Sequence, residues 1–163
     1  MVTRRVFFSF HYKPDNWRAG QVRNMGMVEG NAAVSDNDWE TVTRGGDAAI
    51  RRWIDGQLHG KSCAVVLIGS QTAGRKWIKY EIEKAWKDGK GLLGIYIHGL
   101  QDRYKNQSTK GQNPFGFNVE GRNLSRIVKA YDPPYRLSEN VYKHIADNMA
   151  NWVEEAITIR GRY

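Results

Sequence analysis

The chain has a single cysteine, Cys63, among 163 residues, which excludes an internal disulfide and any zinc site built on several cysteines. That scarcity fits a reducing compartment, and a cytoplasmic location is expected. Prolines are few as well. Pro14, Pro114, Pro133 and Pro134 are all expected in loops, and no proline-rich linker, repeat or low-complexity tract divides the chain. No apolar run approaches the roughly 18 to 20 residues that cross a bilayer, so no membrane partner is expected. Met1 to Phe10 sets two arginines ahead of five mostly apolar residues and turns polar without a small-residue cleavage site, so no signal peptide is expected. Also missing are the spaced glycines of a dinucleotide fingerprint and the lysine of a nucleoside-triphosphate loop, which argues against those two chemistries.

What is present describes an ordinary globular protein: 40% hydrophobic residues, 12% aromatic ones and a mean hydropathy of -0.64. The length suits one domain over residues 1–163, large enough to bury a core without metal or disulfides. The net charge of +8 is concentrated in the middle, where residues 61–130 carry 13 bases against 5 acids. Such an excess can draw in nucleic acid, an acidic surface or a phosphate-bearing small molecule, or it can be a solvated lysine-rich helix face.

Apolar segments of two kinds alternate along the chain. Val6 to Phe10, Cys63 to Ile68 and Leu92 to Ile97 are short β-prone runs without polar alternation, as expected of strands covered on both faces. Between them, Asp47 to Leu58 and Arg75 to Asp88 carry apolar stripes at helical spacing and are followed by Gly60 and Gly89. Further helices are predicted near Asp15 to Asn24 and from Ser138 to Ile159, the latter begun by the Ser138-Glu139 pair. One more strand is predicted within Asn123 to Tyr131, centred on Ile127 and Val128. Strands alternating with helices imply a three-layer, doubly wound α/β fold with a mostly parallel sheet. Met25 to Gly46 and His98 to Arg122 read as long irregular loops, a length that in a compact domain goes with function or disorder.

In such a sheet ligands bind beyond the carboxyl ends of the strands. That rule selects Ser9-Phe10-His11-Tyr12, Gly69-Ser70-Gln71-Thr72 and His98-Gly99, turns whose hydroxyls, ring faces and amides suit a nucleotide. In the helix after Ser70, Trp77 and Glu81 stand one turn apart at the edge of the Ile78-Ile82 stripe, which would leave a carboxylate partly desolvated under an indole. On spacing alone Glu81 pairs equally well with Lys84 on a solvated surface. Ser9 and Ser70 suit turn capping as well as ligand contact, His11 suits a local hydrogen bond, and Trp77 suits a core position. Cys63 opens an apolar strand and reads as packing.

Ile68-Gly69-Ser70-Gln71-Thr72, then Trp77, then Tyr80-Glu81-Ile82 resemble the TIR domain family, in which a strand ending in serine precedes a helix carrying tryptophan and, four residues on, glutamate. Arg5 to Phe10 resembles that family's opening strand. Val6 to Tyr12, Leu67 to Thr72 and Lys110-Gly111-Gln112-Asn113-Pro114-Phe115 read like the TIR-like branch that contains the signal-generating protein of the Thoeris antiphage system, and the resemblance covers roughly residues 4–135. It implies a TIR-like, flavodoxin-like fold and an enzyme, of NAD nucleosidase or ADP-ribosyl cyclase type, that cleaves NAD between nicotinamide and ribose. The ADP-ribose is then cyclised into a signal received by a separate effector protein. Glu81 would be the catalytic group, with Ser9, Phe10, His11, Ser70, Trp77 and Asn113 as substrate contacts. NAD would be substrate, with no cofactor and no metal. A lone carboxylate suits this chemistry, because an oxocarbenium-like state can be stabilised by one nearby anion, and Phe10 and Trp77 offer faces for adenine or nicotinamide. Segments 25–46 and 99–122 are candidates for a lid that excludes water. Only the resemblance brings Asn113 to the site; by composition it begins a turn.

The chain departs from the family in two places. His11 stands where many relatives carry a small polar residue, and no second strand is legible between Gly26 and Gly46, which leaves self-assembly open. Two rival readings come from other classes. A non-catalytic TIR-like scaffold requires Glu81 exposed and tied to Lys84, with no cavity beside it. A nucleic-acid module would rest on Lys76, Lys79, Lys87 and Arg103, but aromatic and basic residues interleave in one helix only, so nucleic acid is not an expected partner.

Overall fold

A computed structural model of the protein describes residues 3–31 and 41–163. The elements are β1 (Val6–Ser9), α1 (Tyr12–Arg23), α2 (Gly46–Leu58), β2 (Cys63–Ile68), α3 (Lys76–Lys87), β3 (Gly91–Tyr96), β4 (Asn118–Val119), β5 (Arg122–Asn123), a 3-10 turn (Leu124–Arg126), β6 (Ala130–Tyr131) and α4 (Ser138–Arg160). Strands β1, β2, β3 and β6 lie side by side in that order and are all parallel, with Phe7 beside Ala64 and Val65 beside Leu93.

Strand residues alternate between the two faces, and both faces are apolar. Val6, Phe8, Cys63, Val65, Leu67, Leu93 and Ile95 pack against α1 and α4 through Val22, Ile145, Met149 and Val153. Phe7, Ala64, Val66, Ile68 and Leu92 pack on the opposite side against α2 and α3 through Ile54, Leu58, Ile82 and Trp86. Each fully buried aliphatic side chain contributes about 1.5–3 kcal/mol, so three layers follow directly from runs that lack polar alternation. No helix among the described residues is long and apolar enough to cross a membrane.

The segment in which no strand was legible supplies one further pairing. Arg5 bridges Glu29 in parallel, with Val6 N–H donating to the Glu29 carbonyl at 2.8 Å. Phe8 N–H donates to Asn31 Oδ1 at 2.9 Å, a side chain standing in for the next rung of a ladder. Ser62 N–H meets the Arg5 carbonyl on the other edge of β1, so chain order reverses around β1. In an open α/β sheet that reversal is where a crevice forms.

Two local expectations are corrected. The strand within Asn123–Tyr131 shrinks to Ala130–Tyr131, because Asn123 Oδ1 accepts from Ser125 N–H and both Ile127 and Val128 donate back to the Leu124 carbonyl, a helical turn in place of a ladder. Pro14 lies within the first turn of α1 and not in a loop, a position where the missing N–H has no intrahelical partner to lose. The last helix starts at Ser138 as expected, with Leu137 in the cap position and no side-chain cap bond.

Candidate active site

A cavity of about 850 Å³ opens at the carboxyl end of β1, between the start of α1, Trp53 of α2 and the first turns of α3. Its carboxyl-bearing wall follows from two periodicities. Ser9 shares the face of Phe7, two residues before it, and so points toward the α2–α3 layer. On α3 the buried residues are Ile78, Glu81, Ile82, Ala85 and Trp86, so Glu81 sits within the buried stripe and not at its edge. The two side chains meet: Ser9 Oγ donates to Glu81 Oε2, with Ser9 1% and Glu81 8% exposed.

No cation pairs with Glu81 among the described residues. Lys84, its alternative partner by spacing, reaches Asp88 at 3.1 Å, and Glu83 pairs with Lys87 at 3.5 Å. Burial therefore governs the carboxyl and pushes its pKa up to about 8, against a smaller downward pull from the Ser9 hydrogen bond. A carboxyl held mostly protonated at neutral pH, facing a hollow, is poised to ionise when a cation enters.

Trp77 lies one turn before Glu81 on the cavity wall, half-buried, its ring edge-on to Tyr80 at 5.8 Å and under the Lys76 ammonium at 4.9 Å. Phe10 is also on the wall, stacked with Tyr12 at 6.2 Å. His11 lines it as well. Its Nδ1 is buried without a hydrogen-bond partner, and burial, then Arg75, then Lys13 lower its pKa, so the ring is neutral at pH 7.

Ser70 and Asn113 are not on this wall. Ser70 belongs to the turn after β2, which Gly69 N–H closes by donating to Thr72 Oγ1 at 2.8 Å. Asn113 is exposed and its Oδ1 accepts from Phe115 N–H at 2.8 Å, an Asx turn. The two share a neighbourhood, since a Cβ on Gly111 would fall 2.0 Å from the Gly69 carbonyl oxygen. No residue of 99–122 lines the cavity, and this segment is pinned by Leu100, Phe115 and Val119, all nearly fully buried. The other candidate lid, 25–46, includes 32–40, which lie outside the described residues.

Gln71, from the turn that the strand-end rule selects, is on the wall, and so are residues that the sequence did not point to: Lys13, Arg23, Asn31, Trp53 and Arg75. Arg23 ends a helix whose start is at the site, and a basic residue in a last turn reads first as a dipole partner. Asn31 follows a stretch without periodicity and carries no sequence signal.

Compared with known proteins, residues 7–102 match the family model described as Thoeris protein ThsB, TIR-like domain. A protein of Bacillus cereus (strain MSX-D12) that bears the name "Putative cyclic ADP-D-ribose synthase ThsB1" is 41% identical over 121 residues, 71% of this chain and 63% of the relative. The chain thus spans less than two thirds of that relative's length. The matched region holds Glu81, Ser9, Phe10, His11, Ser70 and Trp77, while Asn113 falls beyond it.

Proposed function

This chain belongs to the ThsB TIR-like domain family, and on that membership we propose that it cleaves NAD at the nicotinamide–ribose bond and cyclises the ADP-ribose into a signal for a separate effector in antiphage defence. The observation that carries the reading is the Glu81 carboxyl, buried at a cavity wall with Ser9 as its one hydrogen-bond partner among the described residues. The name of the Bacillus cereus relative supplies the cyclising step.

The residues divide the labour as follows. The cationic nicotinamide ring, entering beside Glu81, favours the ionised carboxylate that burial alone disfavours. Ser9 donates to one carboxylate oxygen and fixes its position, which leaves the other oxygen for the ribose. As the bond to nicotinamide breaks, positive charge develops on the sugar, and the carboxylate stabilises it in a site with little water to screen the field. Trp77 and the stacked Phe10–Tyr12 pair present ring faces to the nicotinamide and adenine. Neutral His11 can accept or donate a hydrogen bond without repelling the cationic ring. Cyclisation then requires a nucleophile of the same molecule to reach the anomeric carbon before water does.

The scaffold reading required an exposed Glu81 tied to Lys84 and no cavity beside it; the observed burial, the Lys84–Asp88 pair and the hollow speak against it. Mass spectrometry of cells expressing the protein, before and after phage challenge, tests the proposal. Nicotinamide and a cyclised ADP-ribose should accumulate after challenge. A challenged culture whose NAD, nicotinamide and ADP-ribose pools match those of cells lacking the protein would overturn it.

A further inference from the structure

The cavity has a second chemical character beyond the carboxyl. Its wall carries Lys13 and Arg23 from α1 and Arg75 and Lys76 from the start of α3, against Glu81 as the one acid among the described lining residues. Lys76 is neutralised by Asp47, whose Oδ2 lies 2.5 Å from its ammonium. Lys13, Arg23 and Arg75 pair with no carboxylate among the described residues.

Arg23 is the most telling of the three. Its Nε is buried without a hydrogen-bond partner, and its guanidinium lies 5.6 Å from the Phe10 ring centroid, beside the Phe10–Tyr12 stack. A half-buried guanidinium with an unsatisfied N–H loses hydration without compensation unless something else accepts from it. Arg75 and Lys13 line the same cavity, and both lower the pKa of His11, which is on its wall as well. Concave, partly desolvated walls of one sign focus the field and concentrate counter-ions, and planar guanidinium forks match phosphate oxygens pairwise.

We propose that Arg23 and Arg75, with Lys13 beside them, form a subsite for a diphosphate group, distinct from the carboxyl that acts on the sugar. The proposal rests on the nucleotide reading of the cavity and assigns to this wall the part of the ligand that carries its negative charge. It also gives the middle segment's basic excess a use at one residue, Arg75, while leaving the lysines on the outer face of α3 solvated.

The test uses inorganic pyrophosphate as probe, titrated calorimetrically into the wild-type protein, R23Q, R75Q, the double variant R23Q/R75Q and R103Q, an exposed cation away from the cavity. Pyrophosphate should bind the wild type at low salt, weaken at least tenfold in the double variant and stay within twofold in R103Q. R23K keeps the charge without the fork and should fall between R23Q and wild type. The His11 ring gives an independent signal by NMR: its pKa should rise when the anion cancels the field of Arg75 and Lys13. Unchanged affinity in R23Q/R75Q, or an equal loss in R103Q, overturns the subsite. Failure of the NAD reading is separable: the variants would still lose pyrophosphate while challenged wild-type cells released no nicotinamide. Conversely, nicotinamide release with an unchanged KM for NAD in R23Q/R75Q would remove the subsite and leave the reaction.

Discussion

Replacing Glu81 by glutamine should make the protein more stable at neutral pH, and the gain should depend on pH in a defined direction. The carboxyl has an ordinary value of 4.5 in the unfolded chain and about 8 in the folded one, because burial next to Ser9 disfavours its charge. A raised acid pKa contributes stability that is fully present below 4.5 and is lost as pH rises toward 8. At pH 7 the folded protein must keep a proton that the unfolded chain has released, which costs about 3 kcal/mol from 1.36 kcal/mol per unit over the interval from 4.5 to 7. At pH 5 the same cost is below about 1 kcal/mol. Glutamine keeps the volume and can still accept from Ser9, so it escapes the penalty. Urea unfolding of wild type and Glu81→Gln at pH 5 and pH 7 reads the difference directly, with the m-value as a check that the transition is unaltered. The variant should gain roughly 2–3 kcal/mol more at pH 7 than at pH 5. A gain that is equal at both pH values, or a variant less stable at pH 7, would refute the desolvated carboxyl.

Ser9→Ala removes the group that lowers the Glu81 pKa, so the alkaline rise of activity with pH should move to higher pH, while kcat falls on the order of tenfold through lost positioning; an unmoved pH profile would show that Ser9 does not tune the carboxyl. Gly111→Ala would place a Cβ 2.0 Å from the Gly69 carbonyl oxygen and should cost about 1–3 kcal/mol in urea unfolding, whereas Gly116→Ala, with nothing within 4 Å, should be nearly neutral. Arg18, 4% exposed, holds the carbonyls of Leu100 and Asn106 and lies 3.5 Å from the buried Asp15. Burial raises Asp15 to about 6 even against Arg18, so Arg18→Leu should destabilise by about 3 kcal/mol at pH 7 and by less at pH 5, where Asp15 takes up a proton. Equal losses at the two pH values would mean that Asp15 stays neutral throughout.

The layers and the helix α3 were legible because they rest on patterns of many residues. Uninterrupted apolar runs at Cys63–Ile68 and Gly91–Tyr96 can only be strands buried on both faces, and the Ile78-Ile82-Ala85-Trp86 stripe fixes which side of α3 meets the sheet. The burial of Glu81 was within reach of the same argument, since it stands three residues after Ile78 and four before Ala85. Two kinds of feature were not legible. One is structure set by a single side-chain hydrogen bond, such as Asn31 completing the edge of β1 or Asn123 turning a strand into a helical turn. The other is convergence of residues far apart in sequence: nothing in the spacing of Lys13, Arg23 and Arg75 says that they share a wall, because the sheet topology brings them there. Ser70 and Asn113 illustrate the converse. The strand-end rule selects Ser70 and only the family resemblance selects Asn113, yet the polar environment of both is the turn itself and a neighbouring loop, not the hollow at β1.

The central claim is that the negative charge at position 81 drives bond cleavage. It is tested most directly by timing nicotinamide release from NAD in extracts of phage-challenged cells that express either wild type or Glu81→Gln at matched levels. The expected result is steady release by the wild type and a loss of at least about a hundredfold in the variant, the scale set by removing a group that stabilises transition-state charge. Release by Glu81→Gln at the parental rate would contradict the claim.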